Sequence, residues 1–208
     1  MKRALGGYSP EDRPFQRTGE NRIVTTTNNG QPFLSDVQEL RRRAREQIEK
    51  GAVTQDYGLD PQQAIDLLQN ALATEIVCVL RYTMHSVAAT GIASQGPKAE
   101  FAEHADEERE HAAKIAERIN QLGGTPNFNP EGLAMRSASQ YGSDDLDLVG
   151  MIKENLIAER IAIEHYRELV HYFGDKDPTS RTMLEEILAV EEEHANDMSD
   201  LLAAHGGK

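Results

Sequence analysis

Four glutamates and two histidines occupy positions where a helical chain should carry apolar side chains. Glu75 falls between Leu72 and Val79, and Glu108 and His111 fall between Ala105 and Ala112. Glu159 falls between Leu156 and Ile163, and Glu191 and His194 between Leu188 and Ala195. A buried carboxylate without a partner is strongly destabilising, or it takes up a proton. Six such groups on apolar stripes call for positive charge among them, and metal ions supply it with the fewest atoms. Four carboxylates carry −4 and the neutral imidazoles nothing, so two divalent ions balance the set. An oxygen and nitrogen shell without thiolate suits iron or manganese, and admits zinc.

The six residues are two copies of one signature. Leu72-Ala73-Thr74-Glu75, leading to Tyr82, matches Leu156-Ile157-Ala158-Glu159, leading to Tyr166, with Glu and Tyr seven apart in both. Glu108-Arg109-Glu110-His111-Ala112 matches Glu191-Glu192-Glu193-His194-Ala195. The pattern reads as a duplicated helical hairpin. Residues equidistant from a hairpin turn share a height. Glu75 centres with Glu108 on position 91.5 and with His111 on 93, whereas Glu159 centres with Glu191 and His194 on 175 and 176.5. These midpoints fall in two short breaks, at 91–96 and 174–177. Each hairpin therefore sets its Glu opposite its own Glu-x-x-His, roughly 24 Å from the turn at ~1.5 Å per residue. Two such hairpins packed together bring six ligands to one level. A third Glu-x-x-His, Glu168 to His171, begins nine residues past Glu159. That offset is about 13.5 Å along the axis and about 180° around it, so this pair is expected in solvent.

The positioning elements are legible from their start and stop signals. Asp60-Pro61 supplies an N-cap and a first-position proline, and Ile65, Leu68, Leu72, Val79 and Tyr82 share a face up to about residue 90. Pro97 opens a second helix, which Gly123-Gly124 stop. A third is predicted from Ser143, as N-cap before Asp144 and Asp145, to Gly174. Asp177-Pro178 repeats the first signal, and the last helix ends before Gly206-Gly207. Two connections are short. The middle one, 124–142, holds Pro126, Pro130 and Gly132 and is long enough to run the length of a bundle. The fold class is all-α: a four-helix bundle with one long crossover. Residues 1–34 are expected as an irregular arm. Ser35-Asp36-Val37-Gln38 is a capping box opening a short helix to about Lys50. Its narrow stripe of Val37, Leu40, Ala44 and Ile48 suits docking on the bundle or on a neighbouring subunit. The expected organisation is an arm with a short helix over 1–59 and a bundle over 60–204.

Composition agrees with a soluble chain. Its 208 residues are 38% apolar and 27% charged, and no uninterrupted apolar run reaches the roughly 18–20 residues of a membrane span. The positive start Met1 to Gly7 has no apolar stretch behind it, so no secretory signal is expected. Cys78 is the single cysteine, which excludes an intrachain disulfide and a multi-cysteine metal site. A reducing cytoplasm is the expected compartment. The net charge of −13 is uneven: residues 1–50 hold 10 Lys/Arg and 7 Asp/Glu, and residues 51–208 hold 12 and 28. An acidic body suits cations and disfavours nucleic acid. Arg41-Arg42-Arg43 reads as a solvated cluster rather than a DNA contact.

Over about 60–204 these motifs resemble the ferritin-like di-iron carboxylate family, and bacterioferritin in particular. The resemblance implies a ferritin-like four-helix bundle binding two iron ions per subunit, with manganese or zinc as alternatives. It implies Glu75 and Glu159 as terminal ligands, Glu108 and Glu191 as bridging ligands, and His111 and His194 each on one ion. Tyr82 matches the bacterioferritin tyrosine near the di-iron centre, although Tyr82 and Tyr166 also suit core aromatics with a bonded hydroxyl. The implied activity is that of a ferroxidase and iron store, oxidising Fe(II) with O2 or H2O2. The other readings are a di-metal peroxidase or manganese catalase without storage, and a DNA-protecting Dps-type protein. Bacterioferritin's haem-binding methionine is replaced by Arg109, so haem is not expected. Its fifth helix is missing, as in Dps-type proteins, so a closed homo-oligomeric cage of twelve subunits is expected over one of twenty-four. The single Cys78 excludes the paired-cysteine subtype of such cages. His104, one turn before Glu108, suits a transient iron site on the access route, or a supporting or interface histidine.

Overall fold

Three of the four long helices begin on an aspartate whose carboxylate closes the first turn. The structure, a computed structural model, describes residues 37–142 and 146–206. Its helices are α1 (Val37–Arg43), α2 (Pro61–Ala88), α3 (Gln95–Gln121), α4 (Leu133–Arg136), α5 (Leu148–Phe173) and α6 (Pro178–Ala204). Asp60 Oδ1 accepts from the Gln62 amide at 3.0 Å, Asp147 Oδ1 from Gly150 at 2.7 Å and Asp177 Oδ1 from Ser180 at 2.9 Å. Each satisfies an amide that the helix leaves without a partner. The third long helix thus starts at Leu148, not at Ser143 as predicted. Several neighbouring acids can cap it, and Asp147 is the one that holds the amide three residues on. Ser143, Asp144 and Asp145 lie outside the described residues. Helix α3 starts two residues before Pro97, whose missing N–H costs nothing within the first turn.

The described residues fall into two units, divided between Glu46 and Gln47. In the first, α1 stops at Arg43, short of the predicted Lys50. None of its residues is buried, and Leu40 is 42% exposed. So narrow a stripe gives little apolar stabilisation to extend a helix. Arg42 instead pairs with Glu39 at 2.7 Å and with Glu46. Beyond it, Gln47 is left-handed (φ 52°) and leads into a single 3-10 turn, Ile48–Lys50. The arm 1–34 and the capping residues Ser35 and Asp36 lie outside the described residues.

In the second unit α2 packs on α3 and α5 on α6, with α2–α5 and α3–α6 contacts joining the two hairpins. The crossover runs along α2: Gln69 Nε2 donates to the Thr125 carbonyl (2.8 Å), the Ala138 amide to Thr74 Oγ1 (2.9 Å) and Arg81 to the Gln140 carbonyl (2.6 Å). Its one helical turn, α4, seats Leu133 on Ala73 and Val77. Gly124 allows the chain to leave α3 closely, because a Cβ there would meet Ile119 Cγ2 at 2.9 Å and Ile65 Cγ2 at 3.0 Å. Helix α2 is apolar enough in composition to cross a membrane, and here it is the core helix, with most of its apolar window buried.

The apolar core comes in two blocks. One gathers Leu68, Leu72, Ile115, Ile119, Tyr166, Phe173, Leu184 and Ile187, with Val53, Tyr57 and Leu59 packed against it. The other gathers Tyr82, Phe101, Met151, Ile152 and Met198. Every long helix passes from one block to the other through its share of the six polar residues. At the far end of the first block, Arg118 donates to both Asp177 oxygens at 3.0 Å and to Ser180 Oγ at 2.8 Å, and the Tyr57 hydroxyl donates to Asp177 at 2.8 Å.

Candidate metal centre

Between the two blocks α2 presents Glu75, α3 presents Glu108 and His111, α5 presents Glu159, and α6 presents Glu191 and His194. All six are buried, none above 2% exposed. The six side chains meet at one level of the bundle, as their distances from the two turns predict. Glu75, Glu108, His111 and Glu191 place one donor atom each within 4.8 Å of one another, and so do Glu108, Glu159, Glu191 and His194. The two sets share Glu108 and Glu191, the pair contributed by the two Glu-x-x-His motifs. His111 Nδ1 lies 3.0 Å from Glu191, 3.3 Å from Glu108 and 3.4 Å from Glu75. His194 Nδ1 lies 3.8 to 3.9 Å from Glu108, Glu159 and Glu191. The other Glu-x-x-His behaves as expected: Glu168 and His171 are both exposed.

The chemistry of the donor set fits two cations. Glu75 Oε2, Glu108 Oε1, Glu159 Oε2, both Glu191 oxygens and His194 Nδ1 are buried without a hydrogen-bond partner among the described residues. Buried polar atoms are nearly always bonded, so six orphans facing one space mark a place for ligands other than protein. The crowding of these groups also shifts their proton affinities. Burial, reinforced by the neighbouring carboxylates, pushes Glu108 and Glu191 well above the usual carboxylate range. Burial also opposes the charged forms of His111 and Glu75, but their mutual contacts and Glu108 win: His111 rises to about 10 and Glu75 falls. Without cations, protons take over the balancing of charge.

A second ring of contacts orients these side chains. The Tyr82 hydroxyl donates to Glu159 and the Tyr166 hydroxyl to Glu75, so each hairpin's tyrosine holds the other hairpin's glutamate. Both tyrosines fit the bonded-core expectation, and Tyr82 lies beside the site. His194 Nε2 meets Glu107 at 2.7 Å, a carboxylate that would fix the ring with Nδ1 aimed inward. Sequence reasoning missed Glu107, since one acid in an acidic run carries no signal of its own. His104 is buried, stacks on His194 with ring centroids 3.9 Å apart, and is held neutral by burial and by His194, its pKa pushed down to about 3. Arg109 is exposed and pairs with Asp106. Cys78 is buried, and burial pushes its thiol well up, so it is an inert core residue.

This geometry has relatives. A profile described as "Ferritin-like domain" matches residues 65–205. The chain belongs to that family. Among curated relatives of this ferritin-like protein is the DNA protection during starvation protein of Pyrococcus furiosus, 30% identical over 147 residues, or 70% of this chain and 80% of that protein. Another is the nutrient stress-induced DNA-binding protein of a Synechococcus strain, 29% identical over 68% of this chain and 81% of its own length. Among solved structures is a dodecameric thioferritin, the bacterioferritin-related protein of Bacteroides fragilis. It is 35% identical with a TM-score of 0.69, covering 71% of this chain and 89% of that one. Dps from Thermosynechococcus elongatus, at 18% identity and a TM-score of 0.65 over 68% of this chain and 90% of its own, shares the fold. The all-helical ferritin-like bundle expected from the sequence is thereby borne out.

Proposed function

We propose that this ferritin-like protein is a ferroxidase and iron store working at an intra-subunit di-iron site. The observation that carries the reading is the pair of overlapping donor sets, joined by Glu108 and Glu191 and fringed by orphaned oxygens. Fe(II) is the substrate. Glu75 and His111 hold one ion and Glu159 and His194 the other, with the two shared carboxylates touching both. Two Fe(II) give up two electrons, which with two protons reduce O2 to H2O2, or H2O2 to two waters. Carboxylates change denticity readily, so the ligand set tolerates the change in iron charge. The Fe(III) product passes to the interior of a closed cage. The acidic body of the chain attracts Fe(II) and favours mineral nucleation.

The dodecameric relative at 35% identity supports a twelve-subunit assembly. Native mass spectrometry is expected to give twelve chains of 23.1 kDa. A particle of twenty-four would overturn the twelve-subunit reading. Aerobic Fe(II) addition should yield a ferric core inside the particle. Turnover without a core would leave a di-metal peroxidase, and bound manganese with peroxide disproportionation a catalase. DNA protection is the reading favoured by the names of the curated relatives. A mobility shift at low salt that fades as salt rises would establish it, and no shift would remove it.

A further inference from the structure

We propose that Glu100, His104 and Asp197 form a third divalent-cation site, outside the six-residue centre and linked to it through Tyr82. The Tyr82 hydroxyl donates to Glu159, so its oxygen is left to accept. His104 Nδ1 lies 3.2 Å from that oxygen and must carry the hydrogen of this bond. Nε2 of the same neutral ring is then a bare lone pair. It faces Glu100 Oε1 at 3.5 Å and Asp197 Oδ2 at 3.7 Å, and has no hydrogen-bond partner among the described residues.

A lone pair confronting two carboxylate oxygens is repulsive unless a cation sits among them. The spacing says which cation chemistry applies. A proton shared between nitrogen and oxygen draws them to about 2.7–2.9 Å. Ligand atoms around a divalent ion, each about 2.0–2.2 Å from the metal, stand about 3.3 Å apart when tetrahedral. The observed separations lie near the second arrangement. His104 is 2% exposed whereas Glu100 and Asp197 are 34% and 40% exposed, so the nitrogen forms the floor and the carboxylates the rim. The three donors lie within 4.8 Å of one another, at a small cavity of about 90 Å³ whose wall also includes Glu103, Glu107 and Glu193.

The same imidazole joins the outer cluster to the inner one. His104, Glu159 and His194 place donors within 4.8 Å of one another. A cation held at the rim thus has a further donor set one step inward. That sense of transfer rests on the di-iron reading, but the existence of the outer site does not.

Equilibrium dialysis of the full-length protein against Co(II), with anomalous diffraction at the cobalt edge, tests the two separately. The wild type is expected to bind three Co(II) per chain, one with density beside His104 Nε2. Glu100→Gln with Asp197→Asn should lose that density, keep two ions, and weaken the third by at least about 10-fold. Glu108→Ala with Glu191→Ala should do the reverse and keep the outer ion. An unchanged isotherm in the rim variant, with no density beside His104, would overturn the outer site whatever the centre does. Full retention of Co(II) in the Glu108/Glu191 variant would overturn the di-metal reading and leave the outer site standing.

Discussion

His111→Ala and His194→Ala are each expected to slow Fe(II) oxidation by at least about 100-fold, the upper end of what losing a mere outer partner of a ligand costs. Each removes the only nitrogen donor of its set. Glu108→Ala and Glu191→Ala should be at least as damaging, since each carboxylate belongs to both sets. His171→Ala should leave the rate within about 2-fold, because His171 is exposed and off the ligand level. The readout is the initial rate of ferric absorbance at about two Fe(II) per subunit, a load set by the charge balance of the site. The metal-free variants should stay folded. Removing one of four crowded buried carboxylates relieves repulsion, so the metal-free melting temperature should hold or rise. A silent His111→Ala beside an inactive His171→Ala would sink the hairpin-height argument and the site with it.

Asp177→Asn is expected to cost about 3 kcal/mol, the lower end for breaking a buried ion pair by removing one partner. Asp177 caps α6, accepts from Tyr57 and takes both bonds from Arg118, which stays buried and uncompensated in the variant. Urea melts of wild type and variant at equal protein concentration provide the measurement. The pH dependence has a definite sign. Burial alone would raise the Asp177 pKa, but bonds from Ser180, Tyr57 and Arg118 outweigh it and hold the carboxyl low. A depressed folded pKa contributes stability above the ordinary Asp value of about 3.9, and that contribution is lost as pH falls through the folded value. The gap between wild type and variant should therefore be full at neutral pH and close below about pH 4. A gap that widened on acidification would refute the assignment.

The bundle and the centre were legible because their signals are periodic and redundant. Glu75 and Glu159 interrupt apolar stripes at equal distances from their turns, so burial and height followed from counting. The Asp-Pro pairs named two helix starts to the residue. Other features lacked such redundancy. Near Ser143 four capping candidates compete, and their order depends on where the crossover delivers the chain. Over 35–50 the pattern was helical, but too few apolar positions stood behind it, and the helix ends at Arg43. Glu107, Glu100 and Asp197 are three acids among thirty-five acidic residues. Glu107 and Asp197 find their histidines on the facing helix, which no spacing within one helix reports, and Glu100 stands out only once Asp197 is seen beside the His104 one turn on.

The duplication bears on direction. Two identical hairpins would create a channel with two equivalent mouths, one at each end of the polar layer. In this chain the halves have diverged. Aligned on the Glu-x-x-His motifs, Glu100, His104 and Glu107 of α3 correspond to Met183, Ile187 and Val190 of α6, and Asp197 corresponds to Lys114. Ile187 is wholly buried, and Met183 packs on the same apolar block. The positions matching the acid-lined cavity are thus taken by apolar side chains, with an exposed lysine in place of Asp197. A symmetric precursor would have had no inside or outside, and substitutions at four equivalent positions give the polar layer a front and a back.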